Sequence, residues 1–201
     1  MEFREVLAKR RMVRNHLPDP IDPAVLERIG MAGLSAPSAG HSQGQSIVLI
    51  TDEERRAKIA ELAGEQEYVD RGFDPWLSTA PAHLIICVSP DRYFERYEAP
   101  DKESASDPRS DWDVPYWWID AGATFMAILL AAVDEGLSAG FLGAHAIPGL
   151  AEAIGLPEHQ HAIGVTTIGK AAPDRRSSSL DRGDRPTSEV LHWQRWGGAD
   201  R

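Results

Sequence analysis

From Trp117 to Glu135 the chain is nearly free of charge, and its apolar residues Ile119, Ala123, Phe125, Met126, Leu129, Leu130 and Val133 cannot be confined to one stripe. At helical periodicity they cover most of the circumference, so this helix needs cover on more than one side. In a single domain that demand is hard to meet. The pattern predicts a helix at the centre of the fold that also serves as a dimer core.

Around that helix the sequence spaces a mixture of helices and strands. A first helix spans residues 2 to 9, and a second opens with Asp22 as N-cap and Pro23 in the first turn, running toward Leu34 until Pro37 stops it. Ile47, Val48, Leu49 and Ile50 mark a strand over Ser46 to Thr51, after which Thr51 and Glu54 form a capping-box pattern opening a helix to Ala63. Residues 83 to 88 are a short buried strand in which the sole cysteine, Cys87, is packing rather than nucleophile or ligand. Ser89-Pro90-Asp91 starts another helix. Tyr97 to Val114, rich in acids, prolines and serines, reads as an exposed loop or mobile lid. Strands over 138 to 142 and 162 to 169, with a short helix near 148 to 154 between them, complete one α+β domain over 1–201. Near the end Val190, Leu191, Trp193 and Trp196 ask for a partner surface.

Several function classes fall away. A net charge of -10 argues against a nucleic-acid partner. Asp134 and Glu135 interrupt the longest apolar stretch before it approaches 18 residues, and no basic n-region precedes an apolar h-region, so no membrane span and a cytoplasmic location are expected. His159-Gln160-His161 lacks a third ligand at metal spacing, and no metal is expected. There is no G-x-S-x-G elbow for a hydrolase, no G-x-G-x-x-G and no P-loop. Any phosphorylated ligand must be held another way.

A candidate for that grip is Arg10-Arg11-Met12-Val13-Arg14, which sets three guanidiniums within five residues of an otherwise acidic chain. Arg presents a fixed fork of donors suited to phosphate oxygens. The alternative is a solvated basic helix end. Further on come Ala36-Pro37-Ser38-Ala39-Gly40-His41-Ser42-Gln43, then Gly136-Leu137-Ser138-Ala139-Gly140-Phe141, and finally Arg185-Pro186-Thr187-Ser188-Glu189-Val190. The aromatic group Trp112, Tyr116, Trp117 and Trp118 is either core and interface or a stacking wall for a planar substrate.

Taken in this order, with Pro20 to Leu26 and the apolar helix after Asp120, these segments resemble the FMN-dependent nitroreductase family over nearly the whole chain. The resemblance implies a three-layer α/β/α nitroreductase-like fold, with a central, mostly antiparallel sheet and a tail, 187–201, that extends onto the partner subunit. It implies a homodimer with each flavin at the subunit interface. Arg10 and Arg185 would meet the FMN phosphate, with Arg11 and Met12 in the same box and Arg14 nearer the ribityl or pyrimidine end. Pro37, Ser38, His41 and Gln43 would line the flavin ring, and Gly140, Leu142 and Gly143 would lie beside it. Trp117, Phe125 and His145 are candidates for the substrate pocket. No catalytic side chain is implied, because NAD(P)H would pass a hydride through flavin N5 to a nitroaromatic, quinone or similar planar small-molecule acceptor. Relatives that hold a flavin or deazaflavin without turnover, or that fragment flavin to dimethylbenzimidazole, are the alternative. Three departures matter: Met12 replaces a usual Ser, His41 a usual Asn, and Asp184 a usual base, while Arg71 is the nearest substitute for a mid-chain cation.

Overall fold

The strand that carries Cys87 is buried at every position, and the other elements are arranged around it. The computed structural model describes residues 1–102, 112–173, 175 and 177–199, so part of the loop expected between Tyr97 and Val114 lies outside the described residues. In chain order the elements are α1 (Phe3–Lys9), α2 (Pro23–Leu34), β1 (Gln45–Ile50), α3 (Glu53–Leu62), α4 (Glu65–Asp70), α5 (Trp76–Thr79), β2 (Ala82–Val88), α6 (Pro90–Tyr97), α7 (Tyr116–Asp134), β3 (Ser138–Gly143), α8 (Leu150–Ala153), β4 (His161–Gly169) and α9 (Thr187–Val190).

Among the described residues the strands form one antiparallel sheet in the order β1-β2-β4-β3, which makes β1 and β3 the edges. Side chains leave a strand alternately to its two faces. On one face Ala82, Leu84, Ile86 and Val88 meet Leu26 and Ile29 of α2 and Ala121, Ile128 and Leu129 of α7. On the other, Ile85 and Cys87 meet Ile59 of α3, Leu77 of α5 and Leu150 of α8. An α+β fold of three layers results. Burial pushes the Cys87 thiol up to about 11, consistent with packing.

Local chemistry explains where helices start. Asp22 caps α2 by accepting from Ala24 N at 2.9 Å, with Pro23 in the first turn. At α3 the expected Thr51 cap is wrong: Asp52, one residue later, is the N-cap, and its carboxylate accepts from Arg55 N at 3.0 Å. The brief α5 is too short to persist alone. Its first amides are held from outside by the buried Glu65, whose Oε1 accepts from Leu77 N at 2.6 Å and whose Oε2 accepts from Ser78 N at 3.2 Å.

The central helix is α7. Its length and composition would suit a bilayer crossing, contrary to the expectation from sequence, because Asp134 ends the helix instead of interrupting it. It nevertheless packs as a core helix, with Ala121, Thr124, Ile128, Leu129 and Ala132 buried. Its other side is uncovered, leaving Ile119 52% and Met126 45% exposed. The neighbouring α1 and α2 add exposed Phe3, Leu7, Met31 and Leu34. In the tail Val190, Leu191, Trp193 and Trp196 are also exposed.

One buried base makes the fold acid-sensitive. His83 of β2 is fully buried, donates from Nε2 to Leu77 O at 2.8 Å, and leaves Nδ1 without a partner among the described residues. Burial lowers its pKa to about 4, the Leu77 bond opposing this only in part. The unfolded chain therefore binds this proton near pH 6.5 and the folded chain only near pH 4, so stability falls as pH drops through that window. The expected loss between pH 7 and pH 4 is about 3 kcal/mol from this residue. Urea denaturation at several pH values should show it, and a His83→Gln variant with the same pH slope would assign the loss elsewhere.

Candidate functional site

The arginine segment is tied to the β3 edge of the sheet. After α1, Met12 makes a parallel bridge to Ala139 and Val13 N donates to Ala139 O at 2.9 Å. Next comes a buried anchor. His16 is 1% exposed, with Nε2 3.0 Å from Thr167 Oγ1 and Nδ1 3.3 Å from Ser138 Oγ. Ser138 donates to Gly169 O and Thr167 accepts from Gly140 N, so a ring proton on Nδ1 fits both of these contacts of His16. Gly140 is obligatory here for a packing reason, since a Cβ would collide with Val13 O, Thr167 Oγ1 and the Trp76 ring.

These anchors separate the arginines. Arg14 lines a cavity of about 550 Å³ together with Glu65, Tyr68, Phe73, Trp76, Leu142 and Arg175, and its guanidinium carbon lies 5.9 Å from the Trp76 ring centre. Arg11 instead faces a smaller cavity with Lys9, Val133, Leu137 and Ser138. Arg10 is half-buried, and neither it nor Arg11 has a hydrogen bond or ion pair among the described residues. Met12 turns away from the arginine box and packs against the α2 and α7 core, because the bridge to Ala139 aims it inward.

The second segment is a built turn next to β1. Ala39 N donates to Asp120 Oδ2 at 2.9 Å, and Gln43 N donates to Ser38 Oγ at 2.9 Å. Arg96 Nε holds Gly40 O at 2.7 Å. Gly40, His41 and Gln43 all have positive φ, which places the exposed His41 and Gln43 in a conformation that favours glycine. Asp120 also accepts from Tyr93 Oη at 2.7 Å, and burial first, then this bond, keeps the Tyr93 hydroxyl protonated.

The two segments therefore attach to opposite edges of the sheet, roughly 14 Å apart at ordinary strand spacing. Of the residues expected around a ligand, Arg14 and Leu142 share one cavity, and Pro37, Ser38, His41 and Gln43 are outside its lining. Gly140 is buried beneath Val13, while Gly143 adjoins the His145 ring at the end of β3. Arg185 is exposed and folds back on Glu189, with Nε 3.3 Å from Oε2 and Nη2 3.1 Å from the backbone oxygen.

The three residues expected at a substrate pocket lie elsewhere than the Arg14 cavity. Trp117 and Phe125 pack into the α2 and α7 core, Trp117 edge-on to Tyr93 and Phe94, and Phe125 4.5 Å from Phe141. Neither of them nor the exposed His145 lines the Arg14 cavity. Helical periodicity turns both aromatics toward the sheet. Arg71 stacks on Tyr68 outside that lining, next to Glu67. Sequence alone gives no signal for the contacts of Asp120, Glu65, Trp76 and Arg175, because each meets a partner distant in sequence. Among the described residues no three His, Cys, Asp or Glu side chains form a group that could hold a metal.

The chain belongs to the nitroreductase family, whose model matches residues 7–170. It is 27% identical over 190 residues to the NADPH-flavin oxidoreductase of Vibrio harveyi, covering 94% of this chain and 72% of that one. The FMN reductase [NAD(P)H] of Bacillus subtilis is 34% identical over 82 residues, which is 41% of this chain and only 30% of that enzyme. Among solved structures, the Vibrio harveyi NADPH:FMN oxidoreductase complexed with NAD+ superposes with a TM-score of 0.73 at 23% identity, covering 98% of this chain and 79% of that one. Nitroreductase A of Vibrio parahaemolyticus gives 0.73 at 24% identity, covering 98% and 77%. These two similarities concern the fold.

Proposed function

We propose that this protein is an FMN-dependent NAD(P)H oxidoreductase that works as a homodimer and reduces a nitroaromatic, quinone or similar planar acceptor. The observation that carries the reading is the Arg14 cavity, lined from the family-matched region by residues of β3, α4 and α5 and from the tail beyond it by Arg175, Ser177 and Ser178. Its volume, about 550 Å³, suits a cofactor, and Trp76, Tyr68 and Phe73 offer apolar wall beside two guanidiniums. That donor set fits a planar, phosphorylated anion. Flavin and nicotinamide chemistry are also in the names of the Vibrio harveyi and Bacillus subtilis relatives.

In this reading Arg10 and Arg14 grip from the β3 edge and Arg185 joins them on assembly. Pro37, Ser38, His41 and Gln43 arrive from the partner, which the separation of the two edges and the uncovered α7 face both favour. When bound, FMN supplies the transfer of a hydride between nicotinamide and acceptor. The chain's own task is to hold the ring, fix its orientation and exclude water. Fixed cations at the cavity favour a ligand that gains negative charge on reduction.

The test is the visible spectrum of protein purified from cells, followed by release and identification of the chromophore and by anaerobic NADPH addition. A yellow protein bleached by NADPH is expected. Colourless protein that also fails to take up added FMN would end this reading. Arg10→Ala and Arg185→Ala should each weaken FMN binding by roughly 10- to 100-fold, or about 1.5 to 3 kcal/mol, the range for hydrogen bonds to charged groups. Titration of flavin fluorescence measures this directly.

A further inference from the structure

The Arg14 cavity holds a second cation that no family motif supplies. Arg175 follows β4 in the tail and lines the cavity with Ser177 and Ser178. Its guanidinium carbon lies 5.6 Å from the Phe73 ring centre, while that of Arg14 lies 5.9 Å from the Trp76 ring centre. Two arginines from opposite ends of the chain thus rest on two rings of one short segment, Phe73-Asp74-Pro75-Trp76. That segment contains no base of its own.

Its placement is built rather than incidental. Glu65 fixes the first amides of α5, which begins at Trp76, and the close approach at Gly140 fixes the Trp76 ring from the other side. Guanidinium stacking on an aromatic face leaves the in-plane N–H donors at the edge of the stack, where they can still hydrogen-bond. Two carboxylates also line the space. Glu65 is buried and occupied by the Leu77 and Ser78 amides, whereas Asp74 is exposed and opposes the positive charge.

We propose that Arg175 is a ligand-contacting residue of this cavity, the tail-borne cation that, with Arg14, favours a planar anion there and sets the reduction potential of a flavin bound in it. The assignment rests on the proposed FMN reading for its redox part only. A reduced flavin carries more negative charge than an oxidised one, so removing a nearby cation lowers the potential and removing a nearby anion raises it.

The experiment compares wild type with Arg175→Ala, Arg175→Lys, Asp74→Asn and, as a remote control on α3, Arg55→Ala. Three quantities are read: FMN affinity, the midpoint potential of bound FMN, and calorimetric affinity for naphthalene-2-sulfonate, a planar anion without redox chemistry. Arg175→Ala is expected to weaken the sulfonate roughly tenfold and to shift the ratio of affinities for reduced and oxidised FMN tenfold, lowering the potential by about 30 mV for a two-electron couple. Arg175→Lys should recover part of both, Asp74→Asn should move both the opposite way, and Arg55→Ala should move neither. If wild type binds FMN but Arg175→Ala changes none of the three quantities, the proposal is overturned and the flavin reading stands. If wild type binds the sulfonate through Arg175 yet takes up no FMN, the cation assignment stands and the flavin reading falls. Binding of neither probe by wild type overturns both.

Discussion

Replacing Asp120 by Ala is expected to lower stability by about 3 to 6 kcal/mol, since hydrogen bonds to a charged group contribute roughly 1.5 to 3 kcal/mol each and two are lost. Asp120 is 7% exposed, and its Oδ2 receives both Ala39 N at 2.9 Å and Tyr93 Oη at 2.7 Å. Alanine would leave the buried Tyr93 hydroxyl and the partly buried Ala39 amide without this acceptor. The effect reaches the site, because Ala39 belongs to the turn that presents His41 and Gln43. FMN affinity should therefore fall together with stability, whereas Tyr93→Phe should reduce stability with less effect on the turn. Urea unfolding of the three proteins decides it. A loss below about 1 kcal/mol for Asp120→Ala would mean that these bonds exchange freely with water.

A charge on the outer face of α7 should have a larger consequence for assembly. Ile119→Arg is expected to convert the proposed dimer into monomer at micromolar concentration. Covering Ile119 and Met126 contributes about 1.5 to 3 kcal/mol per side chain, and an unpaired buried charge costs more than that gain. Two-fold symmetry repeats the defect, so a weakening of at least about 1000-fold, or roughly 4 kcal/mol, follows. Sedimentation velocity reads the result. A folded wild-type monomer at micromolar concentration would remove the dimer itself, and a dimeric Ile119→Arg variant would move the interface to another surface. Monomerisation should also abolish tight FMN binding if the two edges of the sheet contribute to one site from different copies.

Much of this architecture is legible in the sequence wherever a local rule decides the outcome. Asp22 and Pro23 announce α2 because capping acts within three residues, and the unbroken apolar run through Cys87 announces a strand covered on both faces. Where a rule leaves two near-equal choices the reading slips, as with Thr51 and Asp52 before α3. The anchors of the site are illegible for a different reason. Glu65 and Leu77, Asp120 and Ala39, and Arg175 and Phe73 meet only after the layers have packed, and no periodicity links the members of a pair. Trp117 and Phe125 look available in the sequence, but the helix turns them inward to the core.

The strand order carries a consequence for how the chain reaches this state. β2 is buried at every position and apolar at all but His83, yet its second partner is β4, which emerges only after α7 and β3 have been made. Pairing elements this distant in sequence requires closing long loops before any contact offsets the lost chain entropy, which slows folding. During synthesis β2 therefore waits with one side unpaired, displaying adhesive backbone beside a continuous apolar surface. A nascent chain halted between α7 and β4 is then at its most prone to aggregate, and early docking of α2 on the first two strands is the protection available to it.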